Sequence, residues 1–417
     1  MMQTKAHKIE LRVNNKQATH LAKACGVARV AYNWALAEWG KMYEAGETPN
    51  EGVLRKKLNS IKKEQFPWML EVTKCAPQLA IKDDLKSAFT RFFNKQGKYP
   101  KKRRKGVHDR FHISNDQFDV KDDNIRIPKL GWLRMRESLR FSGKILSTTI
   151  SRVADKWFAS ITVEVDDSVL VDKNNQTTQK TAGIDLGINT FATVVSGADA
   201  IKYDGVKPHK ALLGRLKRLN KSLSRKIKGS NNRKKARYKL ARHHAQVTNI
   251  RNDYVEKITT ELANNYNHIV IENLNVSGMS KNHKLARSIL DMGFYNFRNR
   301  LQTKLKIRNK QLTIANRWFA SSKLCSNCNY HYREMTLKDR MWDCPNCGIN
   351  HDRDINAAKN LEKLAVSSTV SHTSVEACGV ATNGGMLSNQ QSTSYAMLKQ
   401  EFNHNIAQDC NILSNIV

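Results

Sequence analysis

The chain is 417 residues long, enough for two or three domains with cores of their own. Its 71 Lys and Arg against 37 Asp and Glu leave a formal net charge of +34, which points to a polyanionic partner, because cations that neutralise phosphates release bound counterions. No run of about 18 apolar residues exists, which excludes a membrane-spanning helix, and four of the eight cysteines (Cys25, Cys75, Cys378, Cys410) are scattered, which argues against a disulfide framework and for a reducing, intracellular compartment.

The polar start MMQTKAHKIELRV reads as the lead into a strand rather than a signal peptide, with apolar and polar residues alternating from Lys8 to Val13. A helix is predicted over Gln17–Tyr43, where Leu21, Ala24, Ala28, Tyr32, Ala35 and Trp39 recur every three or four residues. A second is predicted over Pro77–Phe93, with Pro77 in its first turn and Ala80, Leu85, Ala88, Phe89 and Phe92 near one face. The run Lys101, Lys102, Arg103, Arg104, Lys105 then reads as a phosphate-contact loop, with a solvated loop and a nuclear-import patch as the alternatives. From Phe111 to Val165 the period changes to two. Ile125–Pro128, Leu133–Arg136, Leu146–Val153 and Trp157–Val165 are predicted strands of a small barrel or sandwich, which the Lys8 strand can join. The polar stretch from Asp166 to Lys180 reads as a linker.

Beyond it the pattern is mixed α/β, and it carries acids in unusual places. Asp185 sits in the apolar strand Gly183-Ile-Asp-Leu-Gly187, and Phe191–Val195 continues as a second strand. Glu272 ends another apolar strand, His268–Ile271, and Asp352 and Asp354 open a helix. A charge in a buried strand is costly unless it is paired or binds metal. Hard carboxylate oxygens from separate elements can hold two Mg2+ ions about 4 Å apart for phosphodiester hydrolysis. The residues alone do not separate Asp352 from Asp354. Between the first two acids, Leu213–His244 is dense in cations, among them Arg218, Arg225, Arg233, Lys234, Lys235 and Arg237, with leucines spaced for a helical hairpin that would track a nucleic-acid backbone.

Cys325, Cys328, Cys344 and Cys347 form two C-x2-C pairs separated by 15 residues. Four soft ligands at about 2.3 Å complete a tetrahedron around zinc and leave no position open to water, so the ion is expected to be structural. An iron–sulfur site or a redox pair is the alternative. From Val366 the composition turns to Ser, Thr, Asn and Gln, which predicts a tail, 366–417, without a packed core.

Taken together these segments resemble the TnpB family, RNA-guided nucleases of insertion-sequence transposons and relatives of the type V CRISPR effectors. The resemblance rests on YNWAL (Tyr32–Leu36), GIDLGINTFATV (Gly183–Val194), IVIENLNVSGM (Ile269–Met279), KLARSILDMGFYNF (Lys284–Phe297), the two cysteine pairs, HDRDINAAKN (His351–Asn360) and VEACG (Val375–Gly379). It implies a multidomain α+β protein. A wedge-type β-barrel would take 1–13 and 106–170, with a helical recognition lobe, 14–105, inserted in it. A RuvC-like, ribonuclease-H-type core would take 181–320 and 350–365, with a zinc ribbon, 321–349, inserted. It further implies Asp185, Glu272 and Asp354 as the catalytic Mg2+ ligands, Asp354 being the family's D-x-N acid. A guide RNA from the transposon end, target double-stranded DNA beside a short flanking motif, and a prokaryotic cytoplasmic setting follow from the same resemblance. An RNA-guided binder without cleavage, a conventional transposase and a zinc-ribbon regulator without chemistry are the competing readings. All three acids are present, which argues against the first and third. The sequence leaves the oligomeric state open.

Overall fold

The computed structural model describes residues 2–107, 109–166, 180–336 and 338–370. They fall into two compact units divided at residue 170. The expected linker brackets that division, and its residues 167–179 lie outside the described ones.

In the first unit, strand β1 (Met2–Arg12) is followed by helices α1 (Asn15–Glu44), α2 (Glu51–Gln65), α3 (Cys75–Leu79) and α4 (Lys86–Phe93). Strands β2 (Arg110–Ser114), β3 (Asp119–Lys121), β4 (Asn124–Ile127), β5 (Gly131–Met135), β6 (Lys144–Val153) and β7 (Lys156–Asp166) come next. The seven strands form one antiparallel sheet in the order β2-β6-β7-β1-β5-β4-β3. β1 pairs with both β7 and β5, although four helices separate it from them in the chain. Its period-two pattern turns His7, Ile9 and Leu11 inward, against Trp157, Ala159, Ile161, Val163 and Val165 of β7 and the apolar stripe of α1. Asn14 and Gln17 cap α1 reciprocally, each side chain accepting from the other's backbone N–H at 2.9 Å. The helix predicted over 77–93 is α3 and α4 joined by a π-helical segment, Ala80–Leu85.

In the second unit, strands β8 (Thr181–Leu186), β9 (Thr190–Ser196) and β10 (Asp199–Asp204) lead into helices α5 (Pro208–Ser224) and α6 (Asn231–Asn265). Strand β11 (His268–Ile271), helices α7 (Val276–Ser280), α8 (Ala286–Met292) and α9 (Phe294–Ile307), and strand β12 (Gln311–Ile314) follow. A hairpin of β13 (Met341–Asp343) and β14 (Asn350–Asp352) then runs into α10 (Arg353–Val370). The main sheet is ordered β10-β9-β8-β11-β12, antiparallel from β10 to β8 and parallel across β8, β11 and β12.

Strand alternation assigns the two faces of that sheet. Ala182, Ile184, Leu186, Ile269 and Ile271 pack with Val255, Ile258 and Leu262 of α6 and Phe297, Leu301 and Leu305 of α9. Val270 faces the other way, onto Leu361 and Ala365 of α10. Gly183 lies on that same face, and a Cβ there would stand 2.0 Å from the Ala358 carbonyl oxygen and 2.3 Å from the Glu362 nitrogen. Only glycine permits α10 to lie this close to β8. No helix among the described residues is long and apolar enough to cross a membrane. The compositional break expected at Val366 falls inside α10, which continues to Val370; the rest of the tail, with the VEACG segment, lies outside the described residues.

Candidate functional site

The close approach at Gly183 sets the position of the acids. Asp185 is two residues further along β8, so it projects from the same face, toward α10. In the parallel ladder Gly183 is level with Val270 and Ile184 with Ile271, so the next positions in register are Asp185 and Glu272. Glu272 Oε1 accepts from the backbone N–H of Leu186 at 3.1 Å, which pins it beside the end of β8. Asp354 arrives in the first turn of α10. Burial pushes the Asp185 carboxyl well above the usual carboxylate range; Glu272, by charge and by hydrogen bond, and then Asp354 push it the same way, while Arg353 opposes. The donor set therefore suits a divalent cation, whose charge would relieve this crowding of negative oxygens.

Asp352 is occupied differently. Its Oδ1 accepts from the N–H groups of Asp354 and Ile355, each at 3.0 Å, so it caps α10. Its Oδ2 pairs with Lys202 of β10 at 2.8 Å. Asp354 keeps its carboxylate off the helix end, with Arg340 at 3.5 Å as a partner. The sequence offered no signal for Lys202 or Arg340.

The four cysteines bring their sulfurs within 4.8 Å of one another. Cys325 and Cys347 Sγ stand 3.7 Å apart and Cys328 and Cys344 Sγ 3.5 Å, close to the edge of a tetrahedron with arms of about 2.3 Å, so the thiolates fit zinc. Both knuckles have the same local build. Asn329 N–H donates to the Cys325 carbonyl and Gly348 N–H to that of Cys344, at 3.0 and 2.8 Å, and both turn residues take left-handed backbone, φ +60° and +68°, which Asn and Gly tolerate. The ribbon expected to end at residue 349 extends through β14 to Asp352, the cap of α10.

Three side chains missed at the sequence level fasten the ribbon to the acid-bearing helix. His351 Nε2 lies 3.1 Å from Cys325 Sγ, and its ring rests 4.8 Å from that of Trp342. Asn356 Oδ1 accepts from Ser326 N–H at 2.8 Å while its amide donates to the Leu324 carbonyl at 2.7 Å. Asn360 donates to the Ser321 and Leu324 carbonyls at 2.8 and 2.6 Å. Two asparagines four residues apart among alanines form a polar ladder on a buried helix face, which is the signal that could have found them.

The cationic segments divide on inspection. Lys101, Lys102, Arg104 and Lys105 are exposed, whereas Arg103 is half-buried and turns inward. Its Nη1 donates to Asp84 Oδ2 at 2.8 Å, its backbone N–H donates to Asn33 Oδ1 at 2.7 Å, and its guanidinium lies 4.0 Å over the Tyr32 ring. Asp84, carried by the π-helical segment, also takes Arg110 at 2.8 Å and His112 at 3.3 Å. Burial works against its charge, yet hydrogen bonds from His112 and Arg103 hold the carboxyl far below its ordinary range. Arg103→Ala is thus expected to cost about 1–3 kcal/mol of stability. Arg104→Ala should leave the melting temperature unchanged and, with the basic run on phosphates, lower the salt dependence of nucleic-acid binding by about one phosphate contact. Thermal melts and binding titrations over a salt series check the pair.

In the basic hairpin, Arg233 is likewise committed, its Nη1 donating to the Leu223 and Lys226 carbonyls at 3.1 and 2.8 Å and so closing the C-terminal end of α5. Arg218, Arg225, Lys234, Lys235 and Arg237 are exposed around the small apolar core of Leu216, Leu223, Ala236 and Leu240 that joins the two helices.

Known proteins share this plan. Residues 160–283 match the OrfB family of IS605, described as "Probable transposase"; residues 294–361 match the Cas12f1-like TNB domain; and residues 1–48 match the helix-turn-helix domain of OrfB. Within that last span the chain is a strand and one uninterrupted long helix. The structure of a Cas12f1–sgRNA–target DNA complex superposes with a TM-score of 0.56, at 14% identity, over 87% of this chain and 99% of that one. The molecule is therefore a multidomain α+β protein of Cas12f-like fold with a four-cysteine cluster in its TNB region.

Two curated relatives narrow this further. The "Putative RNA-guided DNA endonuclease InsQ" of Escherichia coli K12 is 31% identical over 94% of this chain and 98% of its own length. A "Putative RNA-guided DNA endonuclease" of Streptomyces pristinaespiralis is 33% identical over 87% of this chain and 89% of its own. The chain belongs to the TnpB/OrfB family of IS605-type insertion sequences.

Proposed function

We propose that this protein is an RNA-guided, metal-dependent DNA endonuclease of an insertion sequence, cutting DNA paired to a bound guide RNA beside a short flanking motif. The observation that carries the reading is the meeting of Asp185, Glu272 and Asp354 at one face of the sheet, where burial and then the neighbouring Glu272 and Asp354 drive the Asp185 carboxyl upward. Asp185, Glu272 and Asp354 would hold Mg2+, and they would orient a scissile phosphate against the carboxyl ends of the parallel strands. Bound Mg2+ supplies Lewis-acid activation of water and stabilises the leaving oxygen. Asp352 holds the α10 turn that presents Asp354, and the zinc ribbon holds that helix from behind. The second unit would be RuvC-like. In the first unit the seven-stranded sheet would act as the wedge and α1–α4 as the recognition lobe, with Lys101, Lys102, Arg104 and Lys105 on nucleic-acid phosphates. Base pairing then carries sequence choice.

The test is purification with co-bound RNA, sequencing of that RNA, and incubation with a plasmid bearing the matching target. Cleavage is expected only with matching RNA and Mg2+. Cutting at transposon ends without a guide would make the protein a conventional transposase, and target binding without cutting would make it an RNA-guided binder.

A further inference from the structure

Of the large apolar side chains among the described residues, Trp318 is the most exposed, at 88%. It belongs neither to the acid cluster nor to the ribbon. Its place in the fold is specific. Ala315 follows the end of β12 and donates its N–H to the Ile271 carbonyl at 2.8 Å, so the chain leaves the sheet level with Glu272. Three residues later it reaches Trp318, at most about 11 Å along the chain from Ala315. The turn is fixed from both sides: Asn316 Oδ1 accepts from Trp318 N–H at 2.9 Å, and the Asn316 carbonyl accepts from Phe319 N–H at 3.0 Å. Ala315 and Phe319 are rooted in the apolar cluster of Val270, Leu361 and Leu364, beneath the acid-bearing strand and helix.

An indole held out in water on a rooted turn forgoes the stabilisation that burial would give it. The neighbouring Arg317 is exposed and makes no ion pair with a described residue. A cation beside a flat aromatic face, at the carboxyl ends of the parallel strands where Asp185 and Glu272 emerge, suits one partner chemistry. The guanidinium takes a phosphate and the indole takes an unpaired base, whatever its sequence, because every base has a π-face. We propose that Trp318 is a stacking residue for a single-stranded nucleotide close to the scissile phosphate, with Arg317 on the adjoining phosphate.

The inference rests on the proposed nuclease reading, and its test can fail separately from it. The full-length protein with its guide RNA is titrated with short single-stranded oligothymidylate at raised salt, where phosphate contacts fade and stacking persists. Trp318→Ala is expected to weaken binding roughly 5- to 150-fold, the value of one stacked base, and Trp318→Phe to restore most of it. Moving one abasic nucleotide along the oligonucleotide should cost wild type a similar factor at one position and cost Trp318→Ala nothing more there. The melting temperature should not change. Equal affinity of Trp318→Ala and wild type, or an abasic penalty identical in both, overturns the proposal. A lower melting temperature of Trp318→Ala also overturns it, since the indole would then be packing against protein. Asp185→Asn serves as the control. Unchanged cleavage by that variant sinks the nuclease reading, while its oligothymidylate affinity reports on stacking alone.

Discussion

Asp185→Asn, Glu272→Gln and Asp354→Asn are each expected to lower cleavage by about 10²–10³-fold or more while guide-RNA binding is retained, because each removes an anionic oxygen that would hold Mg2+ against the scissile phosphate. The metal-free protein should respond in the opposite sense. Burial, Glu272 and Asp354 raise the folded-state pKa of Asp185. The folded chain therefore holds this proton more tightly than the unfolded chain, and stability is lost as pH rises from the unfolded value through the folded one. At neutral pH Asp185→Asn removes that cost. Its melting temperature in EDTA should exceed that of wild type, and the gap should narrow when Mg2+ is added. Asp352→Asn separates the neighbouring acids. Its amide oxygen can still cap Asp354 and Ile355, but the pair with Lys202 is lost, which should cost no more than about 1 kcal/mol of stability and leave measurable cleavage at saturating Mg2+. Single-turnover rates and thermal melts decide it. Normal cutting by Asp354→Asn with none by Asp352→Asn reverses the assignment.

What the residues made legible, and what they hid, follows from the range of the interactions. Asp185 and Glu272 stood out because a charge in an apolar strand is locally anomalous. The cysteine spacing is likewise self-contained, and the period-two runs located β4 to β7 to within a few residues. The residues alone left Asp352 and Asp354 open and the family resemblance selected Asp354; the cap that Asp352 makes on α10 supports that choice and is not encoded in spacing. Arg103 looked like its neighbours in the cationic run, and its partner Asp84 gave no sign of being buried until the π-helical segment placed it beside Tyr32 and His112. Helix α2 went unremarked because only Leu54 and Leu58 are buried along it, too few to make a stripe. The expected small barrel or sandwich is a single sheet whose hydrogen-bonded order runs from β2 to β3, with β1 supplied from the far end of the unit. Strand order depends on pairing across the intervening helices, which no local pattern records.

Cys344→Ser is expected to lose the zinc and nearly all cleavage together, and the route between them is visible. A structural zinc site contributes on the order of 10 kcal/mol to the fold that makes it, so removing one thiolate lets the ribbon open. The ribbon does not stand apart from the acids. Cys325 touches His351, His351 is followed by Asp352, and Asp352 caps the turn that presents Asp354. From the other side, Asn356 and Asn360 of the same helix hold the Ser321–Ser326 loop that carries the first knuckle. Opening the ribbon therefore frees the start of α10, and Asp354 with it. Asn356→Ala tests the linkage without touching a thiolate. It leaves the Ser326 N–H without its partner, at about 1–3 kcal/mol, while the Leu324 carbonyl keeps Asn360, so zinc should be retained in metal analysis while cleavage falls. If Asn356→Ala cuts at the wild-type rate with zinc in place, the ribbon's contribution to Asp354 runs through His351 and Asn360 instead. If Cys344→Ser loses zinc yet cuts normally, the ribbon has no part in holding the third acid.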